Sequence, residues 1–170
     1  SWWSSGSGDY FITSYVVEYL TKAKGMGITI DQGMLDRAYG FLKRTQVYNP
    51  DTKANESLPL EVEVARQYGL SFFDSTEGKS QITSFDNLSP DFVSLAVLAN
   101  VRNGYTNSQT NGLIRLTAMA KTQGDSLFWD AGNKSHFGSV DASTALAVRA
   151  LIAGVGDNET AAQGIRYLTR

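Results

Sequence analysis

The chain has no cysteine, a single histidine and only three prolines in 170 residues. Without a thiol there is no disulfide, thiolate metal site or cysteine nucleophile within these residues, and the compartment stays undecided. No apolar run approaches the roughly 18 residues that would span a bilayer, and the start lacks the basic-then-apolar order of a signal peptide. Any targeting segment is therefore expected outside this stretch. Neither sign of charge dominates: 15 Lys and Arg stand against 17 Asp and Glu, a formal net charge of -2. The cations are scattered rather than massed, which removes the electrostatic case for a nucleic-acid or anionic-membrane partner.

What is present is apolar and repetitive. With 42% hydrophobic residues, a chain of this length buries roughly two thirds of the surface its unfolded form exposes, as one helical domain or part of one. From Ala142 to Ala153 only Ser143, Thr144 and Arg149 are not apolar, so a helix here is hydrophobic around almost its whole circumference and must be surrounded by others. Aligned on threonine, Thr13, Val16, Val17 and Leu20 fall opposite Thr144, Ala147, Val148 and Leu151. Ser94, Val97, Leu98 and Val101 make a third copy. One unit is being repeated.

The first helix is predicted from Gly8 or Asp9 to Gly25 or Gly27, with Ile12, Tyr15, Val16, Tyr19, Leu20 and Ala23 buried and Glu18, Lys22 and Lys24 on its outer face. Asp31 caps a second, in which Met34, Leu35, Ala38, Phe41 and Leu42 recur at helical spacing. The last thirty residues repeat this pair, with Asp157 in the place of Asp31. Between them a helix capped by Ser89 and opened by Pro90 runs to Gly104, and a partner spans Ser108 to Gln123. A further helix over Leu60–Tyr68 offers Val62, Val64, Ala65 and Tyr68 for burial, without an evident neighbour. Asn49–Ser57 reads as a loop. Leu70–Leu88 is long for a structureless segment, and is expected to pack by its aromatics or to hold a turn with two short extended pieces.

Successive antiparallel helical hairpins admit an open solenoid or a closed α/α toroid. The first helix of each unit is much the more apolar, which favours a toroid with an inner ring of covered helices. Trp3 and Trp129, just ahead of inner helices, would plug the gap between layers.

The residues also carry a family resemblance. Trp2-Trp3-Ser4, Thr13-x-x-Val16-Val17-x-x-Leu20, Leu35-x-x-Ala38-x-x-Phe41-Leu42-Lys43, Trp129 and Asp141-Ala142-Ser143-Thr144-Ala145-Leu146-Ala147 resemble, in order and spacing, the thioester domain of the α2-macroglobulin and complement family. The likeness is greatest to its bacterial, macroglobulin-like branch; it covers essentially the whole chain, with Tyr48–Leu88 aligning loosely. It implies an all-α fold, an α/α toroid similar in shape to terpenoid cyclases, of which residues 1–170 would be the C-terminal part. The family's internal thioester needs a thiol in a Cys-Gly-Glu-Gln type motif, expected here ahead of Ser1. The resemblance therefore implies no catalytic residue, no cofactor and no metal in this portion. The partners it implies are other domains of the parent chain and, through the whole inhibitor, a target proteinase, in a secreted, periplasmic or cell-surface setting. A ring cut to this portion would leave inner-helix faces uncovered, so an exposed apolar patch or self-association is expected at the edge.

The residues themselves admit other readings. His136 lies in a loop with Trp129, Asp130 and Asp141 near it in sequence, but general acid-base work needs an orienting partner and a nucleophile, and none is marked. It reads as a partly exposed loop histidine, and the ligand spacing of known zinc sites is missing. A toroid enzyme acting on an isoprenoid would need an Asp-x-Asp-Asp cluster, which the sequence lacks, and one acting on a polysaccharide would draw two carboxylates from Glu61, Glu63, Asp86 and Asp91; Glu61 and Glu63, two apart on a helix, face different directions. A helical-repeat module binding protein through a concave face is the third alternative. Asn55-Glu56-Ser57, Asn133-Lys134-Ser135 and Asn158-Glu159-Thr160 match the glycosylation pattern, as chance allows in a chain rich in Asn, Ser and Thr. Arg37, Lys43 and Arg44 share an outer helix face, either solvated or docked on a neighbouring domain.

Overall fold

A computed structural model describes residues 9–49, 51–134 and 138–170. The fold is mostly helical: among the described residues are seven α-helices and two small two-stranded sheets, in two compact units comprising residues 1–80 and 81–170. Trp2, Trp3 and His136 lie outside the described residues.

In the first unit, α1 (Tyr10–Gly25) begins where Asp9 Oδ1 accepts the N–H groups of Phe11 and Ile12 at 2.7 and 3.0 Å, satisfying amides that have no partner inside the helix. Lys22 and Lys24 sit in its last turn, where the helix dipole favours cations. Asp31 caps α2 (Gln32–Leu42) through the Gly33 N–H at 2.9 Å. Strands β1 (Gln46–Asn49) and β2 (Ala54–Ser57) pair antiparallel. The loop expected over Asn49–Ser57 thus contains a strand; every residue of β2 faces water, so no apolar alternation marked it. The helix α3 (Leu60–Leu70) packs on both α1 and α2, the pairing that its sequence left open. Tyr10, Val17, Leu42, Ala65 and Leu70 form the core, with Phe72 and Phe73 packed against it. Gly69 makes the α1–α3 approach possible: a Cβ there would stand 2.8 Å from Leu42 Cδ1 and collide with Ser14.

In the second unit, α4 (Pro90–Asn103) has Pro90 at its first turn and Gly104 in the left-handed conformation at its end, φ 73°. Ser89 occupies the cap position by backbone alone; its hydroxyl makes no capping bond. No regular element lies between Leu70 and Pro90, so the extended pieces expected there are missing, while Ile82, Phe85 and Leu88 are buried. Asn100 holds that stretch by accepting the Ile82 N–H at 3.1 Å and donating to the Ile82 carbonyl at 2.9 Å. The helix predicted to reach Gln123 stops at Ala118 (α5, Thr106–Ala118), and β3 (Lys121–Gln123) and β4 (Ser126–Phe128) follow. Gly124, φ 63°, supplies the two-residue turn between them. Then come α6 (Val140–Val155), capped by Ser139, and α7 (Glu159–Leu168). The cap of α7 is Asn158, whose Oδ1 accepts the Ala161 N–H at 2.9 Å, one residue later than the expected Asp157.

Trp129 is fully buried and joins three of these elements. Its indole N–H donates to the Leu116 carbonyl of α5 at 2.8 Å, its backbone N–H to Thr144 Oγ1 of α6 at 3.0 Å, and its ring lies 3.2 Å from where a Cβ on Gly164 of α7 would be. The helix α6 packs on α4, α5 and α7, yet it is not covered throughout: Ile152 and Val155 in its last turn are exposed.

Candidate functional site

Burial revises the register of the repeat. The fifth residues of α1, α4 and α6 are Ser14, Ser94 and Thr144, all buried; Ser14 and Ser94 donate to the carbonyls of Tyr10 and Pro90, four residues earlier, each at 2.7 Å. Three and four residues on stand Val17 and Glu18, Val97 and Leu98, Ala147 and Val148, again all buried. The alignment therefore runs through Ser14, not Thr13. One residue of slip turns a helix face by about 100°. Hence Ile12 and Tyr19, expected inside, are 57% and 66% exposed, and Glu18, expected outside, is 1% exposed.

Glu18 thus occupies a slot filled by leucine in α4 and valine in α6. Its carboxylate is held on both sides: Oε2 accepts the Tyr68 hydroxyl of α3 at 2.7 Å, and Oε1 accepts Lys22 Nζ at 2.7 Å. Tyr68 is itself fully buried, with Phe72 edge-on to its ring at 5.2 Å. A buried carboxylate persists only with such partners, because its desolvation is otherwise prohibitive. Around it, other polar groups of the unit also cross between elements. Ser14 Oγ shares its one proton between the Tyr10 carbonyl and the Ala65 carbonyl, 2.6 Å away, Arg66 Nη1 donates to the Leu42 carbonyl at 3.1 Å, and Gln67 Nε2 to the Gly78 carbonyl at 3.0 Å. The Tyr10 phenol, donating to the Arg44 carbonyl, has its pKa pushed up by burial, an effect opposed by the cations Arg66 and Arg44.

The described residues singled out from sequence are divided between the two units. Glu61 and Glu63 belong to the first unit, Asp86 and Asp91 to the second. Glu63 is engaged by Arg66 through both oxygens at 2.7 Å, Asp86 is exposed, and Asp91 is buried in the first turn of α4. Asp130 holds a surface bond to Lys121 at 2.8 Å; that ammonium first, then the Gly132 N–H, hold its carboxyl below the ordinary range. Asp141 is exposed. Arg37 lies 3.7 Å from Asp31, Lys43 pairs with Glu77 at 3.0 Å, and Arg44 lies over the Phe41 ring, so the three cations have separate local partners. Among the described residues no three His, Cys, Asp or Glu side chains gather, and no helix is long and apolar enough to cross a membrane.

An apolar groove lies in the second unit. Leu113, Ile114, Thr117 and Ala118 of α5 and Gly154 and Val155 of α6 line a groove of about 560 Å³, with Gln109 and Thr110 at one side. Leu113 enters the space where a Cβ on Gly154 would be, 2.8 Å away, and Gln109 Nε2 donates to the Gly154 carbonyl at 2.8 Å. Ile114 and Val155 are 64% and 61% exposed. The groove offers apolar area with few polar handles, the composition of a contact surface. Its signal in the sequence was the run Ile152-Ala153-Gly154-Val155, apolar to the end of the helix. Comparison of the chain with models of known protein families found no match, and neither did a search of curated proteins.

Proposed function

We propose that this chain is the scaffold and interaction portion of a macroglobulin-like proteinase inhibitor, a segment of an α/α toroid built from helical hairpins. In this reading it forms part of a rigid wall that shields a thioester carried outside residues 1–170 and moves when a bait segment is cut. Protecting a thioester is a matter of excluding water and other nucleophiles until an interface opens. The observation that carries the reading is the apolar groove between α5 and α6, on whose rim Ile114 and Val155 are exposed. Such area favours burial against another surface, here a neighbouring domain of the parent chain. The cross-helix bonds of Ser14 and Arg66 support a rigid wall, since they tie buried polar groups to backbone carbonyls of neighbouring helices.

The test is made on the parent protein. A photo-reactive side chain at Ile114 is expected to crosslink to another domain of the parent before proteinase treatment and to lose that crosslink afterwards. Proteinase trapped by the parent is expected to be bonded outside residues 1–170. A covalent proteinase adduct mapped within them, or a parent reading frame with paired catalytic carboxylates and no thioester motif, would overturn the proposal.

A further inference from the structure

We propose that two copies of this chain associate about a two-fold axis through an exposed apolar stripe on α1, with Tyr19 on the axis. Ile12, Val16, Tyr19, Ala23 and Met26 recur at the spacing of one helix face. The buried side of α1 runs through Tyr10, Ser14, Val17 and Glu18, so this stripe is a second face. Ile12 and Tyr19 are exposed and Met26, at the end of the helix, is 80% exposed, while Val16 and Ala23 are half-buried. The water-facing side of a helix is ordinarily polar, and an apolar one of this length marks a contact surface. The repeat bears this out. Counted from Ser94 as from Ser14, the matching positions on α4 are Phe92, Ala96 and Ala99, all buried. In α1 the same face is left open.

The stripe is complementary to itself. An axis through Tyr19 runs the two α1 helices antiparallel, sets one Tyr19 ring against the other, and puts Ile12 opposite Met26 and Val16 opposite the smaller Ala23. Charge agrees with that direction. Asp9 stands exposed at one end of the helix and Lys24 at the other, and among the described residues neither is ion-paired: Asp9 Oδ1 accepts the Phe11 and Ile12 N–H groups, and Lys24 Nζ donates to the neutral Gln32 amide at 3.1 Å. Antiparallel pairing brings each Asp9 to the Lys24 end of the second copy and opposes the helix dipoles. The exposed stripe is on the order of 500 Å² per copy, so a pair buries about 1,000 Å², the low end for a specific interface and that of a weak, concentration-dependent dimer. The inference does not rest on the inhibitor reading: the stripe belongs to the first unit and the groove to the second, so each fails alone.

Sedimentation equilibrium of the chain from micromolar to millimolar concentration is expected to show a reversible monomer–dimer equilibrium. Tyr19→Glu and Tyr19→Lys, each placing like charges together on the axis, are each expected to weaken it by about tenfold or more, and an equimolar mixture of the two to restore it. Tyr19 is exposed, so circular dichroism should show the fold unchanged in both. Because the chain has no cysteine, Tyr19→Cys by itself is expected to give a disulfide-linked dimer, whereas Ile12→Cys should do so only when mixed with Met26→Cys. A strict monomer throughout overturns the proposal, as does a dimer dissolved by Ile114→Glu in the groove and indifferent to Tyr19. Disulfide linkage of Ile12→Cys to itself overturns the antiparallel pairing. A photo-reactive side chain at Tyr19 that crosslinks, in the parent protein, to another helix of the same molecule would make that helix the occupant and overturn the dimer.

Discussion

The two units hold their helices together by different means. In the first, buried side chains reach across with hydrogen bonds: Tyr68 to Glu18, Ser14 to Ala65, Arg66 to Leu42. In the second, Trp129 also bonds to Leu116 and Thr144, and close apolar approach is added, through Trp129 against Gly164 and Val97 and Phe85 against Gly112, where a Cβ would stand 2.7 and 3.0 Å from them. The same helical position shows the contrast most directly, with Glu18 in α1 where Leu98 and Val148 stand in α4 and α6. Polar crossings specify one arrangement at an energetic cost; apolar ones are cheaper but leave surface to be covered, as at Ile114 and Val155.

The largest expected effect is in the apolar unit. Trp129→Ala removes a fully buried indole, together with its bond to the Leu116 carbonyl, and is expected to cost about 3–5 kcal/mol. Denaturant unfolding followed by amide exchange should show protection lost first in α5, α6 and α7. A loss confined to β4 would mean that Trp129 does not join those helices.

In the polar unit, a single change and a paired change should diverge. Glu18→Ala takes the acceptor from the buried Tyr68 hydroxyl and is expected to cost about 1–3 kcal/mol. Replacing both partners with apolar groups of similar shape, Glu18→Leu with Tyr68→Phe, should recover most of that loss or exceed the parent's stability. Chemical denaturation of the single and double variants decides it. If the double variant is no better than Glu18→Ala, then the slot in α1 is not equivalent to those of Leu98 and Val148.

These examples also locate what was legible before the fold was known. Asp9, Asp31 and Pro90 with Gly104 mark their helix ends by local chemistry, and those boundaries hold within a residue or two. Where two adjacent residues offered the same chemistry, sequence had no way to choose: Thr13 or Ser14 as the repeated hydroxyl, Asp157 or Asn158 as the cap. Glu18 was placed outside because its donor, Tyr68, lies 50 residues away in the chain. No alternation marks the strands, because β2 has no buried face and β3 is exposed throughout. The groove needed both α5 and α6, and only the apolar end of α6 announced it.

The smallest expected effect concerns a polar bond of the second unit that lies at the surface. Lys121 holds Asp130 ionised below the ordinary carboxylate range. A lowered pKa in the folded chain means that the contribution is complete above the unfolded value and is lost as pH falls through the folded one. Lys121→Met should return the Asp130 titration toward the ordinary value, as followed by carboxyl NMR, and reduce acid sensitivity only slightly. Because exposed pairs are screened, added salt should shrink the difference between parent and variant. The Glu18 pair, with its carboxylate buried, should respond far less to salt. An equal salt response at the two sites would remove the distinction between a crossing built into the core and a bond laid over the surface.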